Sequence, residues 1–212
     1  MEMESIPKDG RSVRAKNIYD KAHENLVNSA IELFKDPDVP NENINISLIA
    51  KNAGTSVATA YNHFPNNLID VFGSIFNIAF QKIVESVTEF NKNNPDPYDQ
   101  LQAYVTIQTD TAVELGNAVR EAFYEFRELL SSGKWIQGEP YLFLMSICDE
   151  YAKKNSDIDA TSLADDIFVL WNGYIYLWMR YNPNFEIWSK FTDEWLVQQM
   201  SKIVDKAIFL QK

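Results

Sequence analysis

The sequence predicts an all-α protein of about nine helices, and three observations lead to this fold class. Apolar residues recur every three or four positions along most of the chain, which is the spacing of one face of an amphipathic helix. No long segment alternates apolar and polar residues with the period of two that a half-buried strand has. Glycine and proline number 7 and 8 in 212 residues, so long helices are possible.

The N-terminal part is predicted to form a bundle of three helices, followed by a long fourth helix. Asn45 and Ser56 are suited to cap the second and the third helix. Gly54 permits a tight turn between those two helices. Pro37 and Pro40 end the first helix. The four predicted helices cover 17–35, 46–53, 57–64 and 67–91.

The remainder is predicted to be helical too, after a loop over 91–99 that is rich in Asn and Pro. The further predicted helices cover about 98–116, 117–131, 138–155, 160–181 and 187–210. We expect two domains. An N-terminal arm and the three-helix bundle occupy 1–66, and a larger C-terminal helical domain occupies 67–212.

The charge is distributed unevenly along the chain. The formal net charge is −11. Residues 1–64 hold 7 basic and 9 acidic residues, so most of the excess negative charge lies in the remainder. Strong acidity repels nucleic acid. Any contact with DNA is therefore expected at the N-terminal end.

Several protein classes lack support in this sequence. The first residues contain no apolar run of the signal-peptide kind, and no window reaches the ~18 apolar residues of a membrane span. The one cysteine, Cys148, allows no intramolecular disulfide and is predicted to be buried. The histidines and carboxylates have neither metal-ligand spacing nor a catalytic arrangement. We expect a cytoplasmic protein with no membrane contact, no cofactor and no enzyme activity.

Residues 45–64 have the pattern of a helix-turn-helix, in which the second helix lies in the major groove of DNA. The segment ISLIAKNAGTSVATAYNHF, with its surroundings over about 12–80, resembles the tetracycline-repressor (TetR) family of bacterial transcriptional regulators. The matching positions are Ile49, Ala50, Ala53, Gly54, Ser56, Thr59, Tyr61, His63 and Phe64. The resemblance implies a homodimeric repressor that binds operator double-stranded DNA and is released by a small apolar or aromatic effector.

The predicted recognition helix reads DNA with hydroxyl, apolar and amide groups, because no Lys or Arg lies between Asn52 and Lys82. Val57 can pack on a thymine methyl and Asn62 can pair with an adenine. Hydroxyl groups can donate to phosphates, and a basic N-terminal arm supplies positive charge. The predicted DNA-binding residues are Arg11, Arg14, Lys16, Asn45, Lys51, Thr55, Ser56, Val57, Ala58, Thr59, Tyr61, Asn62 and His63.

The chain departs from the TetR pattern after the Phe-Pro pair. The family usually has Ser-Lys-Glu there, and its Lys commonly contacts phosphate. This chain has Asn66, Asn67 and Leu68, and Asn67 cannot supply that charge. Fewer ionic contacts predict a weaker salt dependence of DNA binding.

The C-terminal part is rich in amphipathic aromatic residues, which suits a cavity between helices for an apolar or aromatic ligand. The resemblance also implies such a pocket. The predicted ligand-binding residues are Tyr104, Gln108, Phe123, Arg127, Tyr141, Trp171, Tyr174 and Trp178.

Two apolar stripes run along the predicted helix 160–181, which indicates burial on two sides. Either this is a central core helix, or one side faces the subunit core and the other faces a second copy. Two-fold homodimers are the commonest oligomers, so we predict a dimer interface. Its predicted residues are Leu163, Ile167, Leu170, Tyr174, Leu177, Leu196, Met200 and Ile203.

Other functions remain open at the level of sequence. The chain could be a DNA-binding regulator that a protein partner controls. It could also be an enzyme or a helical ligand-binding protein that has lost DNA binding, which the acidic composition and the missing Lys favour. A helical interaction module whose short helices only mimic the motif is a third alternative.

Overall fold

A computed structural model describes residues 10–124 and 138–211 of the chain. All regular structure in these two stretches is helical, which confirms the predicted all-α class. Within them, no helix combines the length and the apolar character that crossing a bilayer requires. The α-helices are α1 (Gly10–Lys35), α2 (Ile46–Asn52), α3 (Val57–His63), α4 (Leu68–Asn93), α5 (Pro97–Leu115), α6 (Asn117–Tyr124), α7 (Gly138–Lys154), α8 (Ala160–Met179), α9 (Asp193–Met200) and α10 (Ile203–Leu210).

The chain divides into two compact units, Met1–Ile75 and Phe76–Lys212. The predicted boundary at residue 66 precedes α4, whereas the observed one lies inside that helix. The reason is that the start of α4 packs into the first unit. Phe72 is buried with its ring centroid 5.4 Å from that of Phe34 in α1.

The N-terminal unit is built on contacts among α1, α2 and α3. Apolar side chains from these helices and from the start of α4 form its core. They are Leu26, Val27, Ala30, Leu33, Phe34, Ile44, Ile46, Ile49, Ala50, Ala60, Phe64, Val71, Phe72 and Ile75. The buried hydroxyl of Ser29 donates to the Ile49 carbonyl at 3.0 Å. This bond satisfies a polar group in the core and links α1 to α2.

Helix α1 begins at Gly10 rather than at the predicted residue 17. Its first turns are exposed, and Ile18 is exposed as well. Arg14 and Lys16 therefore lie on an exposed helix. The residues that we predicted to form an N-terminal arm are therefore helical from Gly10 onward.

The C-terminal unit is organised around two long helices. Helix α5 contacts α6, α7, α9 and α10, and α8 contacts α7, α9 and α10. Cys148 is fully buried between apolar neighbours, as predicted. Burial raises the pKa of its thiol to about 12, so the thiol stays protonated at neutral pH.

Two helix boundaries in this unit differ from the prediction. The long last helix predicted over 187–210 is divided into α9 and α10, and turns occupy most of 180–192. The predicted loop over 91–99 is shorter, because α4 continues to Asn93 and α5 begins at Pro97. Asp96 caps α5 by accepting from the Tyr98 N–H at 2.9 Å.

Candidate nucleic-acid interface

A tight corner joins α2 to α3. Asn45 caps α2, because its Oδ1 accepts from the Leu48 N–H at 3.0 Å. At the other end of α2, the Gly54 N–H donates to the Lys51 carbonyl at 3.2 Å, and the Thr55 N–H donates to the Ala50 carbonyl at 2.9 Å. This pair of bonds is a Schellman motif. It needs a left-handed residue at its centre, and Gly54 has φ +66°.

Helix α3 begins at the predicted cap. Ser56 Oγ accepts from the Thr59 N–H at 3.0 Å and lies 2.8 Å from Thr59 Oγ1. Ser56 and Thr59 are therefore engaged with each other, and their hydroxyls fix the start of the helix. Thr55 is half-buried beside them.

One side of α3 packs into the unit and the other side faces outward. Ala60 at the centre of the helix and Phe64 just after it are fully buried. The outward side chains form a small surface of apolar, hydroxyl and amide groups, which we call the α3 face. Its residues are Val57, Ala58, Tyr61 and Asn62, of which Val57 is 41% and Tyr61 44% exposed.

Positive charge in this unit comes from outside α3. Lys51 on α2 is exposed, and so are Arg14 and Lys16 on α1. The side chain of Arg11 lies outside the described part of the chain. Asn45 is exposed, but both ends of its amide serve the backbone: Oδ1 caps α2 and Nδ2 donates to the Asn43 carbonyl at 3.1 Å.

His63 does not join the α3 face, which corrects its prediction as a DNA-binding residue. It is 9% exposed, and its ring centroid lies 4.0 Å from that of Tyr19 and 5.5 Å from that of His23. His23 is half-buried, with Nε2 3.1 Å from Ser74 Oγ. The sequence did not reveal this cluster, because its members come from α1, α3 and α4.

The corner between α3 and α4 uses the residues at which the chain departs from the TetR pattern. Asn67 has φ +59°, a left-handed conformation that Asn tolerates better than most residues. Asp70 accepts from the backbone N–H of Asn66 at 2.7 Å and from its side-chain amide. The first turn of α4 thus carries an acidic group, three residues after the position at which the family pattern has a Lys.

Four of the predicted ligand-binding residues use their polar atoms in hydrogen bonds to other residues of the chain. The Tyr104 hydroxyl donates to the Pro140 carbonyl at 3.2 Å, and Tyr174 accepts from Lys206 Nζ at 2.6 Å. The other two bonds run from the Tyr141 hydroxyl to Asp165 at 2.6 Å and from Trp178 Nε1 to Asp193 at 2.7 Å. The bond to Asp165 raises the pKa of Tyr141 to about 12.

The remaining predicted ligand-binding residues differ in placement. Gln108 is half-buried. Trp171 is 9% exposed, and its Nε1 has no hydrogen-bond partner among the described residues. Trp171 therefore keeps an unused donor, the kind of polar anchor that a ligand site requires. The side chain of Phe123 and the whole of Arg127 lie outside the described part of the chain.

The structure corrects the predicted dimer interface. Five of its eight residues are buried within the chain and cannot touch a second copy in this conformation. They are Leu163, Ile167, Leu196, Met200 and Ile203. Leu170, Tyr174 and Leu177 are half-buried. Because the inward stripe of α8 packs on α7, α9 and α10, it belongs to the core of the C-terminal unit.

The outward stripe of α8 is nevertheless apolar. Phe168, Val169 and Tyr176 are exposed, with Val169 at 66%. Gly173 is exposed between them. We call these four residues the outer α8 face. None of them is charged. Such a surface suits contact with another protein chain.

Within residues 10–124 and 138–211, no group of three His, Cys, Asp or Glu side chains is arranged to hold a metal ion. Comparison with known proteins gave no match to a family model, a curated protein or a solved structure. The α3 face and the outer α8 face are therefore the observations on which a functional proposal rests.

Proposed function

We propose that the protein is a ligand-responsive, DNA-binding transcriptional regulator in which α2 and α3 act as a helix-turn-helix. The observation that carries the proposal is the α3 face. A glycine corner and a serine cap hold a short helix whose outward side chains are neither charged nor bulky aliphatic groups. The resemblance to the TetR family supports the same function.

The dimensions and the chemistry of α3 suit the major groove. Seven residues make a helix about 10 Å long, which fits a groove about 12 Å wide. Ala58 permits close approach, Val57 offers an apolar contact for a thymine methyl, and Asn62 offers an amide for an adenine edge. The Tyr61 hydroxyl can donate to a phosphate, which sets position without reading sequence.

Electrostatic attraction must come from the neighbouring helices, because the chain as a whole is acidic. Lys51, Arg14 and Lys16 are the exposed cations that we assign to phosphate contacts. Because so few cations contact phosphate, the affinity for DNA should fall less steeply with salt concentration, on logarithmic axes, than it does for a Lys-rich regulator.

A homodimer would present two α3 helices to half-sites about one turn of DNA, ~34 Å, apart. We assign the pairing to the outer α8 face. A small effector held in the C-terminal unit would favour one spacing of the two helices over another, and release from DNA could not exceed its preference between the two states. Helix α4 belongs to both units, so it supplies the covalent connection for this coupling.

Selection of bound sequences from a random pool of duplex DNA tests the proposal. We expect an enriched near-palindromic sequence. Asn62→Ala should relax the preference at one position in each half-site and weaken binding about tenfold, since a bidentate base contact contributes about 1–3 kcal/mol. Asn28→Ala is the matched control, because Asn28 is also an exposed helical asparagine, on α1. It should leave selection and affinity unchanged.

The alternative is a helical ligand-binding protein that no longer binds DNA. The absence of Lys and Arg from α3 and the acidic Asp70 at the start of α4 favour it. If no sequence is enriched from the random pool at low salt, the result would support this alternative and contradict the regulatory proposal.

A further inference from the structure

An open concave site lies where α8 ends. Its volume is about 260 Å³, and Arg180, Asn182, Phe185 and Trp188 line it. These residues belong to the turns between α8 and α9, and none of them is among the predicted ligand-binding residues. The site joins one cation, one amide and two aromatic rings.

Arg180 is held in place by aromatic rings rather than by a carboxylate. Its guanidinium carbon lies 4.5 Å from the ring centroid of Tyr176 and 5.3 Å from that of Trp188. It also donates a hydrogen bond to the Tyr176 hydroxyl. No carboxylate of a described residue lies within 4.0 Å of its nitrogens. An exposed guanidinium that is fixed by cation–π contacts and lacks an anionic partner is prepared to bind an anion.

The other lining residues add a donor and two apolar walls. Asn182 Oδ1 accepts from the Asn184 N–H at 2.9 Å, and its amide can offer the donor Nδ2 to a ligand. Phe185 is 61% exposed, and Trp188 is half-buried. Exposed aromatic rings beside a cation offer stacking surface to a flat apolar group.

We propose that this site binds a small aryl carboxylate. The carboxylate pairs with the Arg180 guanidinium through two parallel N–H···O bonds and accepts from Asn182, and the ring packs against Phe185 and Trp188. The volume suits one ring or two fused rings, since pockets for drug-sized ligands are about 300–1,000 Å³. The inference stands without the proposed function, because it depends only on these side chains.

The chemistry of the site also limits its ligands. A cation or a neutral sugar leaves the guanidinium without a partner, and a bare inorganic anion leaves the aromatic walls unused. Repulsion by the acidic chain is screened beyond about 8 Å at physiological ionic strength, so binding of a singly charged ligand is feasible there.

Isothermal titration calorimetry of the full chain with benzoate, phenylacetate and indole-3-acetate tests the proposal. We expect at least one of them to bind, and its neutral amide to bind at least tenfold more weakly. Arg180→Gln should weaken binding at least tenfold. Lys190→Gln is the matched control, because Lys190 is an exposed cation of the same turns that stacks on Phe191, and it should bind as the parent does.

The location of binding is tested by the indole N–H signals of the five tryptophans in a ¹⁵N-correlated NMR spectrum. The signal that disappears in Trp188→Phe should be the one that shifts most on titration. Equal affinity for acid and amide, unchanged binding in Arg180→Gln, or a largest shift at another tryptophan would each overturn the proposal. So would the absence of any binding at about 5 mM. Circular dichroism confirms that each variant is folded, and DNA selection remains an independent measurement.

Discussion

Gly54 takes a left-handed backbone conformation, with φ +66°, at the corner between α2 and α3. A Cβ built there meets nothing within 4 Å, so the cost of a side chain is purely conformational. We predict that Gly54→Ala destabilises the N-terminal unit by about 1–2 kcal/mol. Urea unfolding followed by circular dichroism measures the change.

Gly173→Ala is the matched substitution with the opposite sign. Gly173 lies within α8, and a Cβ built there also meets nothing within 4 Å. Alanine should therefore stabilise the C-terminal unit by about 1 kcal/mol. Equal effects of the two substitutions would contradict the left-handed requirement at Gly54.

The histidine cluster predicts a pH dependence. Burial lowers the pKa of His63, and burial followed by repulsion from His63 lowers the pKa of His23 against a smaller opposing effect of Asp20. Both values lie below the ordinary 6.5. The unfolded chain therefore takes up protons that the folded chain does not, and stability falls as the pH drops below about 6.5.

Urea midpoints at pH 7.5 and 5.5 measure this loss. The parent should lose stability over this interval, by no more than about 1.4 kcal/mol per histidine and pH unit. The His23→Gln, His63→Gln double variant should lose less, because most carboxylates titrate at lower pH. The same loss in parent and double variant would assign the pH dependence to other groups.

The corner between α2 and α3 and the histidine cluster show how much of the candidate site the sequence could predict. The caps at Asn45 and Ser56 and the turn at Gly54 depend on neighbours within five positions, so the local pattern was sufficient. The burial of His63 depends on Tyr19, His23 and the packing of α1 on α3. Such contacts are set by tertiary packing, which no local pattern contains.

Helices α6, α8 and α9 meet at Asp193, near the start of α9. Its Oδ1 accepts from Trp178 Nε1 at 2.7 Å and from Arg120 Nη2 at 3.3 Å, and the Arg120 guanidinium lies 4.2 Å from the Trp178 ring centroid. The acceptor is charged and the tryptophan is fully buried. Removing the carboxylate should therefore cost more than an ordinary surface change.

We predict that Asp193→Ala destabilises the C-terminal unit by about 2 kcal/mol, since it removes charged hydrogen bonds and leaves a buried donor unpaired. Glu150→Ala is the control, because Glu150 pairs with Lys153 on the exposed side of α7, and it should cause no measurable change. Urea unfolding compares the two variants. A similar small effect of both would show that Asp193 does not hold the three helices together.

The two ends of α9 differ in how clearly the sequence indicates them. Thr192 followed by Asp193 and Glu194 is a helix-start signal, and Thr192 Oγ1 accepts from the Trp195 N–H at 3.2 Å. The start of α9 could therefore have been predicted from the sequence. The break at 201–202 was not, because neither glycine nor proline occurs there and apolar spacing continues across it.

The apolar stripes of α8 predicted burial on two sides of this helix, but the structure buries only the inward side, and the outer α8 face is exposed. The stripe that was assigned to a second copy packs inside the chain. Periodicity identifies an apolar stripe and does not say which other helices cover it. The outer α8 face, none of whose residues was among the predicted interface residues, therefore carries the proposal of a homodimer.

Val169 tests that pairing, because it is 66% exposed on the outer α8 face, near the middle of the helix. A two-fold interface places each substitution in both copies, so Val169→Glu buries two carboxylates or prevents association. We expect its dimer dissociation constant to rise at least tenfold, as measured by analytical ultracentrifugation. Ile187→Glu is the control, because Ile187 is 69% exposed and lies in the turns after α8, outside the outer α8 face. A monomeric parent at micromolar concentration, or an unchanged Val169→Glu dimer, would refute pairing through this face.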